Sequence, residues 1–382
     1  MQMQVRRFLD KLAEGTPPER AGIVESLVQV YLNAALDAET KAAAVTAMTL
    51  ILDDPAPRVR RALAEGLADS CRAPRAIVMS LAQDQADIAE IVLARSPVLS
   101  EADLIDLAGG AGERQRRAIA ARPFVPVGVA AAIVEVSDGQ TCRALITNPG
   151  AELTPFAFRR VVARHRKDAG VRSALLERDD LPVWLRDELI AGLSEALGDL
   201  VRERRWMSGE KTERMLGEAR ERSVVELAAG TSPDQLRTLI ERLHCEGRLT
   251  PALIIRAACA GDLRFFEEAL SALSGTPCRR VSALVRNGRG PGFAALLRRT
   301  GLPAAAAPVF GTLVETIQAL PAAGRRQDDT ACRAGLVERA AALHRRRHPD
   351  LADPYSGLLA RLASEEWRAA ARAETGGYFR AA

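Results

Sequence analysis

The sequence predicts an all-α protein, and three observations support this fold class. Aromatic residues make up only 4% of the 382 residues, so the core must be filled by Ala, Leu, Val and Ile, which pack closely between helices. Short apolar runs recur at a spacing of 26 to 30 residues. Helix start and stop signals flank these runs. The predicted architecture is an α-solenoid of helical hairpins followed by a less regular C-terminal helical domain.

The regular repeat lies between residues 54 and 185 and is defined by small or apolar anchor residues. The anchors are Ala62, Val92, Ala118, Ala144 and Ala174, separated by 30, 26, 26 and 30 residues. In the last four units a breaker follows five residues after the anchor and ends the first helix. These breakers are Pro97, Pro123, Pro149 and Asp179. Each unit is therefore a predicted helical hairpin, and about three or more stacked hairpins share one core.

Residues suited to helix starts occur at equivalent places in the repeat. The second helices begin at residues that favour an N-cap or a first helical turn, namely Ser100, Pro126, Thr154 with Pro155, and Pro182. Three aspartates precede first helices, where a carboxylate caps free amides and favours the positive end of the helix dipole. They are Asp54, Asp138 and Asp168.

The repeat fades after residue 185, which predicts a helical-repeat domain over 1–200 and a C-terminal helical domain over 201–382. In the second domain the segments 231–243 and 249–261 each begin with an N-cap residue and a proline. The glycine-rich segment 287–293 is the sharpest predicted loop. Two final helices are separated by Pro349 and Pro354.

The run from residue 53 to 108, continued by AIAARP, LITNPGAELTP and LLERDDLP, resembles an alphaproteobacterial family of uncharacterised proteins called DUF2336. The segment 245–277 is similar to the later part of the same proteins. The resemblance covers most of residues 39–320. Within the repeats, the V-R-x-A-L pattern from Val59 to Leu63 also resembles HEAT units and leucine-rich repeat variants. These resemblances imply a HEAT-like helical-repeat fold and a bacterial cytoplasmic setting, and they supply no catalytic residues.

The overall charge and the cysteines narrow the class of protein. The formal charge is only +4, and acidic residues alternate with basic ones, which is weak support for nucleic-acid binding. The six cysteines form no C-x-x-C pair and are expected to be reduced core residues. The N-terminus does not follow the pattern of a secretory signal, and no apolar run of about 18 residues predicts a membrane span. We therefore expect a cytoplasmic protein.

Arginines are the best candidates for a binding site. Arg61, Arg117 and Arg143 occupy the same position before the anchor, whereas Ile91 interrupts the series. Equivalent arginines could line an anion-binding groove, but ion pairs between adjacent units are the favoured interpretation. Arg289 lies in the glycine-rich loop, where backbone amides could cradle a phosphate. That loop lacks the spacing of a P-loop, so a structural turn is favoured.

Few residues suggest catalysis or metal binding. His344 and His348 lie four apart with Asp350 nearby, but the arginines between them favour a solvated basic face over a metal site. His244 beside Cys245 is interpreted as structural, because adjacent helical residues point in different directions. Phe156 and Phe158 are expected to pack in the core rather than stack on nucleic-acid bases. We assign no catalytic residue, no cofactor and no metal ligand.

Three functions follow as hypotheses. The first is a non-catalytic interaction scaffold or regulatory protein that binds a protein or peptide through the repeat surface. The alternative is nucleic-acid or phosphorylated-nucleotide binding through the arginine-rich surface, at Arg61, Arg117, Arg143 and Arg289. The third is a metal-dependent enzyme that uses His344 and His348.

Overall fold

A computed structural model describes residues 15–288, 290–319, 330–349 and 354–375. These residues form 21 α-helices and one short 3-10 helix, and their only β-type pairing is an isolated bridge. The predicted all-α fold class is therefore confirmed. The chain divides into two compact units between Leu181 and Pro182. The domain boundary predicted at residue 200 stays a prediction.

The first unit contains eleven described helices. They are α1 (Pro17–Asn33), α2 (Ala38–Ile51), α3 (Pro57–Leu67), α4 (Arg75–Ala82), α5 (Ala86–Arg95), α6 (Glu101–Gly110), α7 (Glu113–Ala120), α8 (Val127–Val136), α9 (Gly139–Thr147), α10 (Pro155–His165) and α11 (Ala169–Glu177). Helices α3, α5, α7, α9 and α11 each contact the next one in this series. Helices α6, α8 and α10 contact one another in the same way. Short hairpins therefore pack side by side along this unit.

The core of the first unit contains three of the five predicted anchors, Ala62, Val92 and Ala174. Ala118 and Ala144 are only partly buried. The residue that follows each anchor is almost inaccessible in every unit, namely Leu63, Leu93, Ile119, Leu145 and Leu175. A small anchor lets a neighbouring helix approach closely, whereas the larger side chain beside it fills the space between helices. The anchors therefore mark the repeat, and the residue after each anchor is the position that is buried in every unit.

The predicted helix starts are largely confirmed. Ser100 caps α6 in a reciprocal arrangement with Asp103, and Thr154 accepts from the amide of Ala157 at the start of α10. Asp138 and Asp168 cap α9 and α11 as expected. The prediction for Asp54 was wrong, because Ala56 holds the N-cap position of α3.

The carboxylate of Asp54 has two other contacts. It accepts from the amide of Ala56 at 2.8 Å and pairs with Arg20 at 2.9 Å. Asp54 therefore fixes the loop before α3 and ties it to α1.

The second unit begins with a long hairpin and continues with shorter helices. They are α12 (Val183–Glu203), α13 (Gly209–Ala228), α14 (Pro233–Cys245), α15 (Pro251–Cys259), α16 (Leu263–Ser274), α17 (Cys278–Arg286), α18 (Pro291–Arg299), α19 (Ala307–Gln318), α20 (Thr330–Arg347) and α21 (Pro354–Thr375), with the 3-10 helix at Ala304–Ala306 before α19. Ser232 caps α14 and Thr250 caps α15, each followed by a proline in the first turn. These two starts agree with the sequence prediction.

Helix α15 lies at the centre of the second unit. Seven consecutive residues from Leu253 to Cys259 are buried, and α15 contacts α13, α16, α19, α20 and α21. A helix that is buried on all sides must be apolar all round or must pair its polar groups. Arg256 is the one charged residue in this buried run. Its partners on neighbouring helices therefore form part of the core.

Candidate partner-binding surface

The loops inside two adjacent hairpins of the first unit are held side by side. Val125, in the loop between α7 and α8, donates its amide to the carbonyl oxygen of Gly150 at 3.0 Å. The carbonyl of Val125 accepts from the amide of Glu152, also at 3.0 Å, in the loop between α9 and α10. These two bonds form the isolated parallel bridge between Val125 and Ala151. The loop edges of the two hairpins thus form one continuous surface.

Side-chain donors at one repeat position strengthen this arrangement. Arg122, Asn148 and Arg178 each lie four residues after an anchor, and each reaches main-chain oxygens of the preceding hairpin. Arg122 donates to Leu93 at 2.6 Å and Ser96 at 2.7 Å. Burial lowers the pKa of the Arg122 guanidinium. The group is hydrogen-bonded to the two main-chain oxygens of Leu93 and Ser96. Helix C-terminal oxygens lack partners within their own helix, so these donors satisfy them.

The same position is used in the next two hairpins. Asn148 donates through Nδ2 to the oxygens of Ala120 at 2.8 Å and Arg122 at 2.7 Å. Arg178 donates through Nη1 to those of Ile146 at 2.9 Å and Asn148 at 3.1 Å. The sequence did not reveal this series because Arg122, Asn148 and Arg178 are not all of one residue type. Their fixed place just before each breaker was the available signal.

An apolar surface is exposed on this firmly held edge. Phe124 is 56% exposed, Val127 at the start of α8 is 43% exposed, and Phe156 in the first turn of α10 is 63% exposed. We call these three residues the loop-edge patch. They belong to the two hairpins that the Val125 bridge joins, and α8 contacts α10 directly. Large apolar side chains on a rigid edge are typical of an interaction surface.

The two phenylalanines predicted to be core residues have different positions. Phe158 is 1% exposed and carries the Arg178 guanidinium at 5.7 Å from its ring centre, which confirms its core role. The prediction for Phe156 was wrong. The first turn of α10 turns that ring outward, where the guanidinium of Arg159 lies 5.8 Å from the ring centre. An exposed ring beside a cation can contact an apolar or an acidic group of a partner.

A comparison with known protein families identifies the family of this chain. Residues 88–350, more than half of the chain, match the family DUF2336, described as an uncharacterised protein conserved in bacteria. The chain belongs to the DUF2336 family. No curated protein and no solved structure matches it. The matched segment includes the whole loop-edge patch.

The candidate arginines of this DUF2336 protein face the following repeat. Arg61 lies 3.6 Å from the carboxylate of Asp87 at the start of α5. Arg117 donates to the side chain of Gln140 in the first turn of α9 at 2.8 Å. Arg143 reaches toward α11, with Nη1 3.3 Å from the position that a Cβ on Gly170 would occupy. Arg289 lies outside the described residues. Ligand binding by these four residues stays a prediction.

The histidines of the DUF2336 chain have structural contacts. His344 is buried in α20, with Nε2 3.1 Å from the hydroxyl of Ser356 and Nδ1 3.4 Å from that of Thr312. The prediction that His344 lies on a solvated basic face was therefore wrong, because its ring fills the space between α19, α20 and α21. Asp350 lies outside the described residues. Within the described ranges, no group of three potential metal ligands comes together.

The cysteine thiols differ in accessibility. Cys142 and Cys259 are buried, as expected of core residues, but the same expectation was wrong for Cys71 and Cys245, which are exposed. Burial raises the pKa of the Cys142 thiol to about 11 and that of Cys259 further still. A protonated buried thiol is a poor nucleophile, so these two residues act as small core side chains. No described helix combines the length and the apolar character that a membrane crossing requires.

Proposed function

We propose that this protein is a non-catalytic scaffold or regulatory protein that binds a protein or peptide partner through the surface of its helical repeats. The observation that carries the proposal is the loop-edge patch of Phe124, Val127 and Phe156. We also propose that the first unit is a HEAT-like α-solenoid, supported by the repeated contacts between alternate helices.

The patch has the chemistry that protein interfaces favour. Aromatic side chains contribute large contact area with few rotatable bonds, and they often supply most of the binding energy. Arg159 beside Phe156 and Glu152 beside the Val125 bridge provide polar groups around the apolar centre. The main-chain bridge holds the loops in place, so binding requires little ordering of the backbone. An apolar segment with one or two charges is the expected partner.

A capture experiment tests the proposal. The full chain, immobilised, is exposed to a bacterial lysate next to a Phe124→Ser/Phe156→Ser variant. Val30→Ser/Leu50→Ser is the matched control, because these residues are also exposed apolar side chains of the first unit. We expect a specific protein to bind the wild type and the control and to be lost from the patch variant. Equal capture by all three proteins, or no specific capture, would contradict the proposal.

A second candidate is nucleic-acid or phosphorylated-nucleotide binding through the arginine-rich surface. It is favoured by Arg143, which is exposed and has no ion pair among the residues that the structure describes. Binding driven by phosphate contacts must weaken steeply as salt rises. The test is an electrophoretic shift at low and high salt with wild type and Arg143→Gln. The absence of any shift at low salt would end this candidate.

A cytoplasmic location completes the proposal. Cys71 and Cys245 are exposed free thiols, which a reducing compartment maintains in that form. Fractionation of cells that produce the tagged full chain tests this location.

A further inference from the structure

A cavity of about 780 Å³ lies in the second unit between α13, α15, α20 and α21. This volume is within the range of small-molecule sites in proteins. Its lining contains more arginines than any other charged residue type. They are Arg222, Arg256, Arg333, Arg368 and Arg372.

The inner arginines of the cavity are neutralised by carboxylates. Arg256, buried in α15, donates through Nη1 to Glu365 at 2.9 Å and lies 3.7 Å from Glu221 through Nε. Arg222 also pairs with Glu365, at 3.1 Å. Burial alone would raise the pKa of Glu365, but the guanidiniums of Arg256 and Arg222 hold that pKa below its ordinary value. This part of the wall is a structural ion-pair network.

The two arginines at the rim are different. Arg368 and Arg372 lie four residues apart on α21, so both project from the same face of the helix. Both are exposed, and neither makes an ion pair in the described part of the chain. The Nε of Arg372 donates only to the main-chain oxygen of Arg368 at 3.2 Å. Two guanidinium groups are therefore free to bind an anion at the mouth of the cavity.

The residues that line the cavity include Asp262, which has a buried carboxylate oxygen without a hydrogen-bond donor among the described residues. Asp262 caps α16 through Oδ1, which accepts from the amides of Arg264 and Phe265 at 3.1 Å each. Its other oxygen, Oδ2, is buried and has no hydrogen-bond partner in the described residues. An unsatisfied buried carboxylate oxygen is costly, and such atoms usually have a protein, water or ligand donor. Asp262 is one of the residues that line the cavity, and its Oδ2 is an acceptor that a hydroxyl or amino group would satisfy.

We propose that this cavity binds a small organic phosphate that carries hydroxyl groups. The phosphate lies at the rim, where the planar guanidiniums of Arg368 and Arg372 match its oxygens in pairs. A hydroxyl of the same molecule donates to Oδ2 of Asp262. A sugar phosphate or a nucleoside monophosphate has both groups and fits the available volume. This site goes beyond the proposed partner-binding function and lies in the other unit.

Calorimetric titration of the full chain tests the proposal with defined probes. The phosphate probes are ribose 5-phosphate, glucose 6-phosphate, adenosine monophosphate and guanosine monophosphate. Ribose, glucose, adenosine, guanosine and inorganic phosphate are the matched partial ligands. We expect at least one phosphate probe to bind at least about tenfold more tightly than either of its two partial ligands. Only the complete molecule can contact both the rim arginines and Asp262. No binding by any of the four phosphate probes would overturn the proposal.

Variants then locate the binding site. Arg368→Gln/Arg372→Gln removes the rim charges, and Asp262→Ser keeps an N-cap oxygen while removing the second carboxylate oxygen. Each is expected to weaken the bound probe about tenfold or more. Arg345→Gln is the control, since Arg345 is exposed on α20 and does not line the cavity. An unchanged affinity in the first two variants, or an equal loss in the control, would overturn the proposal.

The two proposals fail separately. Arg368→Gln/Arg372→Gln is expected to capture the protein partner as well as wild type does, because the loop-edge patch is unchanged. Phe124→Ser/Phe156→Ser is expected to bind the phosphate probe normally. Loss of probe binding in the Phe124→Ser/Phe156→Ser variant would contradict the independence of the two sites.

Discussion

Asn148 donates from Nδ2 to the main-chain oxygen of Ala120 at 2.8 Å, and so one hairpin holds the C-terminal end of the first helix in the hairpin before it. Arg122 and Arg178 make the equivalent contacts in adjacent hairpins. The side chain four residues after each of the last three anchors therefore couples neighbouring hairpins. This coupling supports the edge that carries the loop-edge patch.

Replacing Asn148 tests that coupling. We expect Asn148→Ala to lower the free energy of unfolding by about 1–3 kcal/mol, because the oxygens of Ala120 and Arg122 lose a donor in a partly buried place. Urea denaturation followed by circular dichroism measures the loss. Lys167→Ala, at an exposed position, is the control and should change stability by less than about 0.5 kcal/mol. Similar values for both variants would contradict the proposed coupling.

Phe156 and Phe158 should respond very differently to the same substitution. Phe158→Ala leaves a cavity in the core and is expected to cost about 3–5 kcal/mol of unfolding free energy. Phe156→Ala removes an exposed ring and should cost no more than about 0.5 kcal/mol. Both are measured by the same urea titration. A large cost at Phe156 would mean that its ring packs in the core rather than serving as a contact surface.

The ion pair between Arg60 and Asp84 predicts a pH dependence. Arg60 donates to both oxygens of Asp84, at 2.7 and 2.9 Å, and this contact lowers the pKa of Asp84. Because the pKa is lower in the folded state, the stabilisation is present above the unfolded pKa and is lost as pH falls through the folded pKa. We therefore expect Asp84→Asn to lose less stability than wild type between about pH 6 and pH 3.

Urea denaturation across this pH range provides the measurement. Asp53→Asn is the control, because Asp53 is exposed and outside this ion pair. Its acid dependence should parallel that of wild type. An acid dependence of Asp84→Asn that parallels wild type would show that the Arg60 contact adds nothing to stability.

The cysteines should divide into reactive and protected groups. Exposed Cys71 and Cys245 are expected to react first with iodoacetamide near neutral pH, and the buried thiols Cys142 and Cys259 only after denaturation. The raised pKa of Cys142, about 11, adds to its protection because the thiolate is the reactive form. Peptide mass spectrometry gives the order. Early labelling of Cys142 in the native protein would contradict its place in the core.

Local signals in the sequence predicted several of the helix starts. Ser100, Thr154 and Thr250 precede helices in the structure because a hydroxyl that accepts from an amide two or three residues ahead needs no distant contact. The residue of each unit that is buried depends on contacts between helices and less on local sequence signals. The anchors marked the repeat, but the position that is buried in every unit is the next one, at Leu63, Leu93 and their equivalents, whereas Ala118 and Ala144 are only partly buried.

The candidate site was harder to predict than the fold. Phe124 and Phe156 are apolar residues next to helix starts, and the sequence does not show that both rings are exposed or that the Val125 bridge joins their hairpins. Asp262 was similarly hard to identify as a candidate ligand-binding residue, because the sequence indicates its helix-capping role but not that its second carboxylate oxygen lacks a donor or that the residue lines a cavity. Such features depend on contacts between helices.

Hydrogen–deuterium exchange of the full chain, with and without the partner captured from lysate, tests the central claim most directly. We predict slower exchange on binding in the segments 122–128 and 152–160, which carry the loop-edge patch and its bridge. Protection confined to other segments of the chain, with no change in these two, would contradict the proposal that the partner binds this surface.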